Sequence, residues 1–274
     1  VGGIAFGGPS DDLAEGTIER TTTGRGRNGG RQIVEVTGVD GDGVPGLEEV
    51  DRDAVGLSIP RRFTAGPDGA RVDPYETVEW ERRSSSIRDA DGNAVFEMDD
   101  VEIPAQWTTV AGDIMASKYM RRAGVPQYDE SGKPIIDEHG RPVKGGERSA
   151  RQVVRRLVEC WKHWGEQYGY FASESDTATF GDELTYMLLH QMTAPNSPQW
   201  FNTGLQLAYG LTGPAQGHFF VDPVTEDVRR SQDAYSRPQP HACFIQSVDD
   251  DLVGKGGIMD LWTREARLFK YGSG

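Results

Sequence analysis

Thr193-Ala194-Pro195-Asn196-Ser197-Pro198-Gln199-Trp200-Phe201-Asn202-Thr203-Gly204-Leu205 follows an amphipathic run and is too polar to be ordinary core. Pro195 and Pro198 fix φ and remove two backbone donors, which excludes a central strand or a helix interior. Asn196, Ser197, Asn202 and two threonines bring short hydrogen-bonding groups, and Trp200 and Phe201 bring a large apolar anchor. Stiff backbone, small polar groups and an aromatic wall predict a loop that cups a polar ligand. Further along, Arg237-Pro238-Gln239-Pro240-His241-Ala242-Cys243-Phe244-Ile245 reads as a stiff turn feeding a short apolar strand that carries a cysteine.

Working outward, the clearest helix runs from Ser149 to Tyr168, with Val153, Val154, Leu157, Val158, Trp161 and Trp164 at helical spacing and Cys160 on the same face. A second helix is predicted from Asp176 to Met192, with Phe180, Leu184, Met187 and Leu188 inward, Ser173 or Ser175 as N-cap and His190 capping or pairing at its end. Val78 to Arg83 and Ala94 to Met98 flank Asp89-Ala90-Asp91-Gly92-Asn93 and read as a hairpin. Pro104 to Arg122 reads as a helix with Trp107, Val110, Ile114 and Tyr119 near one face. Tyr128 to Lys144 reads as a second hairpin or long loop, turning at Ser131-Gly132 and His139-Gly140. His241 to Val248 is a predicted strand, Asp249 to Gly254 a turn, and Gly257 to Lys270 a helix with Ile258, Leu261, Trp262, Ala266 and Phe269 in one stripe. Strand, turn and helix in that order begin a β/α unit. No internal repeat is apparent.

The first seventy residues differ in kind. Thr21 to Arg31 is a Gly- and Arg-rich loop, and Gln32 to Val36 is too short a strand to be informative. The loop lacks the Gly-x-x-x-x-Gly-Lys-Ser/Thr pattern of a phosphate cradle and reads as a solvated linker. The organisation expected is a flexible segment over 1–70, a hairpin-and-helix region over 71–146, and a helix pair with the start of a barrel over 147–274.

Composition narrows the function classes. The net charge of -14 disfavours nonspecific nucleic-acid binding, which needs a basic surface, but leaves room for a nucleotide pocket with local donors. No run approaches the roughly 18 apolar residues of a membrane span, and no basic-then-apolar signal segment is present. Hydrophobic residues make up 36% of the 274, and mean hydropathy is -0.57. Both are on the low side, yet the length suffices for a substantial core. The two cysteines cannot form a disulfide framework and suit a reducing cytoplasm.

Each candidate site residue has a plain reading beside a functional one. Cys243 is a redox thiol or a buried apolar cysteine. Ser197 donates to a phosphate oxygen, or it belongs to a turn-forming Asn-Ser-Pro. Asp249-Asp250-Asp251 caps the following helix, or it accepts from ribose hydroxyls. His218, Asp222, His241 and Cys243 are of metal-ligand type and form a rival zinc-hydrolase constellation, although their spacing fits no common zinc pattern. Cys160, with no motif around it, is assigned to packing.

Four stretches in order resemble one family. They are Thr193 to Leu205, Gly213-Pro214-Ala215-Gln216-Gly217-His218-Phe219-Phe220-Val221-Asp222-Pro223, Arg237 to Ile245, and Gly257 to Gly274 with Lys270-Tyr271-Gly272-Ser273-Gly274 at its end. Together they resemble adenosylcobalamin-dependent (class II) ribonucleotide reductases from about Tyr75 onward. The resemblance implies an α/β fold in which a helical N-terminal region leads into the first part of a ten-stranded α/β barrel, incomplete in this chain. It implies an enzyme of the ribonucleoside-diphosphate reductase type, with this stretch an N-terminal part that is inactive alone. By resemblance, Cys243 is the first of two reducing cysteines, its partner beyond this chain. Ser197, Ala242, Cys243 and Gly274 contact the nucleotide, and Asp250 lies near an effector nucleotide. A cysteine thiyl radical, raised by homolysis of the cobalamin carbon–cobalt bond, would take the ribose 3′-hydrogen. The partners implied are a ribonucleotide substrate, a deoxynucleotide or ATP effector, a thioredoxin-like or dithiol reductant, and a second copy in a homodimer. The Asn-x-Cys-x-Glu pattern of the radical cysteine and the cobalamin-binding Asp-x-His-x-x-Gly pattern do not occur in the sequence. The alternative to an enzyme is a non-catalytic nucleotide-binding or assembly module.

Overall fold

A nine-residue strand, β1 (Trp80–Arg88), and an eleven-residue strand, β2 (Ala94–Pro104), form an antiparallel hairpin. The turn between them is built by Asp89, whose carboxylate accepts from the amides of Asp91 and Asn93, and by Gly92 at φ 84°. The hairpin expected from sequence is present but longer. β2 runs on through Pro104, so the helix read from there starts later. Thr108 caps it by accepting from the Ala111 amide, α1 is Thr109–Ile114, and Met115–Tyr119 continues as a π-helix. The expected apolar face is thereby corrected. Val110 and Ile114 are exposed, and the buried positions are Gly112, Met115, Ala116 and Ser117. Trp107 is buried ahead of the helix, with its indole N–H donating to the Leu189 carbonyl at 2.7 Å.

The helix pair follows the sequence reading closely. α2 (Ala150–Gln167) opens on a capping box between Ser149 and Gln152, and α3 (Glu174–Leu189) is capped by Ser173. Val153, Val154, Leu157 and Val158 of α2 join Val101 and Ile103 of β2, Met115, Leu188, Leu189 and Trp200 in one core. Trp161 and Trp164 are only partly buried. His190 ends α3, stacked on Tyr186 and 3.0 Å from the Thr77 hydroxyl, as a capping histidine should be.

The inward face of α3 is more polar than its apolar residues suggest, and the reason lies upstream. The structure is a computed structural model that describes residues 56–129, 131–215 and 217–270. The loop at 21–31, the strand read at 32–36 and Gly274 lie outside the described residues. Residues 56–70, expected to be loose, are tied down along α3. Glu183 accepts from the amides of Arg62, Phe63 and Thr64 and from the Thr64 hydroxyl. Arg61 and Arg71 both pair with Asp182 at 2.7 Å. Burial works against the ionised carboxyls of Asp182 and Glu183, but these hydrogen bonds outweigh it and hold both below the usual carboxylate range.

Between α1 and α2 the chain makes two successive turns of one design. β3 (Val125–Pro126) pairs with β4 (Lys144–Gly145), and between them Asp129 and Asp137 each accept from amides two and four residues on. Gly132 and Gly140 follow at φ 77° and 76°. Asp-Glu-x-Gly-Lys/Arg-Pro-Ile/Val thus occurs twice at a spacing of eight, and the hairpin turn at Asp89 is a third, looser copy. The reading that found no repeat is corrected accordingly.

Two short helices, α4 (Ser197–Asn202) and α5 (Leu205–Tyr209), lead to a small hairpin of β5 (Phe219–Val221) and β6 (Val228–Arg230). Residues 241–248 form no regular element and join no strand ladder among the described residues, although the Ser247 carbonyl accepts from Arg264 at 3.2 Å. The strand predicted there is therefore absent as a laddered strand, because a lone segment has no neighbouring strand to define one. α6 (Ile258–Lys270) forms as read, but Ile258, Trp262 and Phe269 of its stripe are exposed. The fold is mixed α/β, with two-stranded sheets against helices and no closed barrel among the described residues. No described helix is long and apolar enough to cross a membrane.

Candidate functional site

The polar stretch at 193–205 is partly helical, which refines the loop reading. Asn196 caps α4 by accepting from the Gln199 amide, and Pro198 sits in the first turn, where its missing N–H costs nothing. Trp200 is buried, as an anchor should be, and Ser197 is exposed beside it. The Ser197 hydroxyl lies 3.0 Å from that of Tyr119, and the Tyr119 ring stacks on Trp200 with centroids 5.5 Å apart.

What holds this stretch is a buried ion pair. Arg156 on α2 and Glu147 just before it are 1% and 0% exposed and meet at 2.8 Å. The guanidinium also donates to the carbonyls of Trp200 and Thr203, each at 2.7 Å, and to that of Tyr119 at 3.1 Å. Glu147 accepts from the Arg121 amide at 2.7 Å and from the Tyr209 hydroxyl at 2.8 Å. Burial first, and then the negative charge of Glu147, push the Tyr209 phenol far above its ordinary range, so it stays a donor. Gly204, at φ 80°, lies so close to the Arg156 carbonyl that a Cβ would collide with it. None of Arg156, Glu147, Tyr209 or Tyr119 was singled out as functional from sequence, although an arginine inside the apolar face of α2 was the available signal.

The segment carrying Cys243 stands open. His241, Cys243 and Ile245 are exposed while Ala242, Phe244 and Gln246 are partly covered, which is the period-two alternation of a strand without its ladder. Cys243 is a free, exposed thiol, so the apolar burial considered for it does not occur. Cys160 is free and buried, with its thiol pushed up to about 12 by burial, in keeping with a packing role. The segment is anchored at its start, where the buried His218 bonds through Nε2 to the Arg237 carbonyl and Arg237 reaches the Tyr168 hydroxyl at 3.1 Å.

The remaining candidates divide. Asp250 is exposed, while its neighbour Asp251 shapes the turn by accepting from the amides of Val253 and Gly254. The zinc constellation does not assemble, since no group of three metal-ligand side chains occurs among the described residues. His218 is committed to the Arg237 carbonyl, and Asp222 to the amides of Val224 and Thr225 and to Arg229. Two concavities among the described residues are a shallow face on α6, beside Trp262 and Arg267, and a cleft of about 370 Å³ between β2 and Glu147.

Residues 81–191 match the family model described as class II vitamin B12-dependent ribonucleotide reductase. With that match and the relatives below, the chain belongs to this family. It is 51% identical over 234 residues to the vitamin B12-dependent ribonucleotide reductase of Bradyrhizobium diazoefficiens, an alignment that covers 80% of this chain and 18% of that protein. The enzyme of the same name from Agrobacterium fabrum is 50% identical over the same shares. That of Rhodopirellula baltica is 38% identical over 81% of this chain and 19% of its own length. The chain thus spans under a fifth of the length of the curated relatives it matches.

Proposed function

We propose that this chain supplies the phosphate-side loop and one reducing thiol of an adenosylcobalamin-dependent ribonucleotide reductase. The enzyme converts ribonucleoside diphosphates to 2′-deoxyribonucleotides for DNA synthesis in the cytoplasm. The observation that carries this reading is the contrast between the two thiols. Cys243 is exposed on an open extended segment, whereas Cys160 is buried in the helix pair. Ser197, Ala242 and Cys243 contact the nucleotide, as does Gly274. Asp250 serves the effector, a deoxynucleotide or ATP, and a second copy completes a homodimer.

Two thiols, Cys243 and a second cysteine, become a disulfide and release two electrons and two protons. The ribose 2′-hydroxyl leaves as water, and a hydrogen takes its place at C2′. The 3′-hydrogen is borrowed by a thiyl radical on a third cysteine and returned. A thioredoxin-like dithiol then reduces the disulfide for the next turnover. Radical generation belongs to adenosylcobalamin, and none of this chain's described residues is assigned to it. Residues 241–248 and α6 are the first strand and helix of the ten-stranded barrel, which gives the unpaired extended segment its ladder.

The test is Cys243→Ser in a full-length enzyme carrying this sequence. Serine keeps the shape but gives no electron pair, so nucleotide binding should persist while multiple-turnover reduction stops. Turnover at the parent rate with a dithiol reductant would remove Cys243 from the chemistry and, with it, the anchor for Ser197 and Ala242.

A further inference from the structure

Tyr119 lies outside every sequence motif used above, yet it is the residue nearest in chemistry to Ser197. It ends the π-helix Met115–Tyr119, a wide turn of the kind often found at functional sites. Its hydroxyl is 3.0 Å from Ser197 Oγ, and its ring is fixed against Trp200. Two hydroxyls in contact share one proton between them and keep the other free. The pair therefore presents a donor and several lone pairs toward the side on which Ser197 is exposed.

The backbone under that pair is held by one group. Arg156 donates to the Tyr119 carbonyl and to the carbonyls of Trp200 and Thr203, at the far end of the helix that Ser197 begins. A planar guanidinium with its donors fixed in a fork sets these carbonyls in one geometry, and Glu147 balances its charge at 2.8 Å. The same cation thus registers both halves of the hydroxyl pair against each other. A surface pair with no ligand to meet has no need of so buried a clamp.

We propose that Tyr119 is a substrate-binding residue whose phenol hydroxyl, together with Ser197 Oγ, forms a two-hydroxyl site for a phosphoryl group of the nucleotide, and that Arg156 is its positioning residue. The proposal rests on the assignment of Ser197 to the phosphate side of the substrate.

The experiment is a double-variant cycle in a full-length enzyme carrying this sequence, with a ribonucleoside diphosphate and the matching triphosphate as probes. Tyr119→Phe keeps the ring on Trp200 and removes only the hydroxyl. It should raise KM for the preferred probe by about tenfold with kcat within about twofold, a loss equivalent to ~1.4 kcal/mol. Ser197→Ala should do the same, and the double variant should fall short of the product of the two effects. Arg156→Lys keeps a charge for Glu147 but cannot hold three carbonyls, so in that background the coupling between Tyr119 and Ser197 should vanish. If Ser197→Ala raises KM and Tyr119→Phe leaves it unchanged, the proposal is overturned while the Ser197 assignment stands. If Ser197→Ala itself leaves KM unchanged, the assignment falls and takes the proposal with it.

Discussion

Glu147 shows how much a single side chain can decide. It has no exposed surface, and it is the counter-charge for Arg156, the acceptor for the Arg121 amide and the acceptor for Tyr209. Removing its charge leaves a guanidinium buried and uncompensated. Glu147→Gln should therefore destabilise the chain by about 3 kcal/mol or more, read as a lower denaturant midpoint. An unchanged midpoint would mean that Arg156 is not dependent on Glu147. The two thiols give a second contrast. Cys160→Ser places a hydroxyl in the packed face of α2 and should cost ~1–3 kcal/mol, whereas Cys243→Ser, at an exposed position, should stay within about 0.5 kcal/mol. In the folded chain near pH 8, iodoacetamide should label Cys243 and spare Cys160, whose thiol burial holds up to about 12. Mass spectrometry of the labelled peptides reads this directly, and equal labelling of both would contradict the burial of Cys160.

Among the elements, what could be read from sequence is what repeats within one segment. The apolar spacing of α2, the start of that helix at Ser149, a serine cap for α3, which is Ser173 of the two considered, and the turn of the first hairpin are local signals, and all appear where the spacing puts them. The polar face of α3 was not legible, because its partners come from more than 100 residues upstream: Arg61 and Arg71 on Asp182, and the amides of residues 62–64 on Glu183. The π-turn at Met115–Tyr119 has no sequence signature at all, and in the α-helical turn before it Val110 and Ile114 are exposed. The α3 contacts carry a pH dependence. The folded-state pKa values of Asp182 and Glu183 are depressed, so the stability they add is fully present above the unfolded carboxyl range of about 4 and is lost as pH falls through the depressed values. Amide protection of Phe63 and Thr64, corrected for intrinsic exchange, should hold at pH 6 and drop on acidification below about 4, and Glu183→Gln should blunt the drop. Protection that is flat down to pH 2 would refute the account. The twin turns make a separate prediction. Gly132→Ala and Gly140→Ala put a Cβ at φ 77° and 76° in open space, so each should cost only the left-handed backbone penalty of about 1 kcal/mol, equal for the two sites.

At the scale of the whole molecule, the number of thiols bears on the proposed chemistry. The proposed reduction uses one cysteine to carry the radical and two more to supply electrons, three in all. The sequence has two cysteines, and Cys160 is locked in the core of the helix pair, so only Cys243 is an exposed thiol. The geometry agrees with that count. Residues 241–248 keep strand alternation without a ladder, and Trp262 and Phe269 of α6 face outward, so the part of the fold around Cys243 is open where the part around Arg156 is closed. This also explains why the sequence could point to Cys243 but not to its surroundings: motif resemblance marks the residue, whereas among the described residues no strand pairs with its segment to define a wall. The expected outcome is that the 274-residue chain, purified alone and supplied with adenosylcobalamin, a dithiol and a ribonucleoside diphosphate, forms no deoxynucleotide above the no-protein control. Thiol titration of that chain should find one reactive group without denaturant and two with it. Deoxynucleotide formation by the isolated chain would show that one accessible thiol suffices, and the three-cysteine scheme would have to be abandoned for this protein.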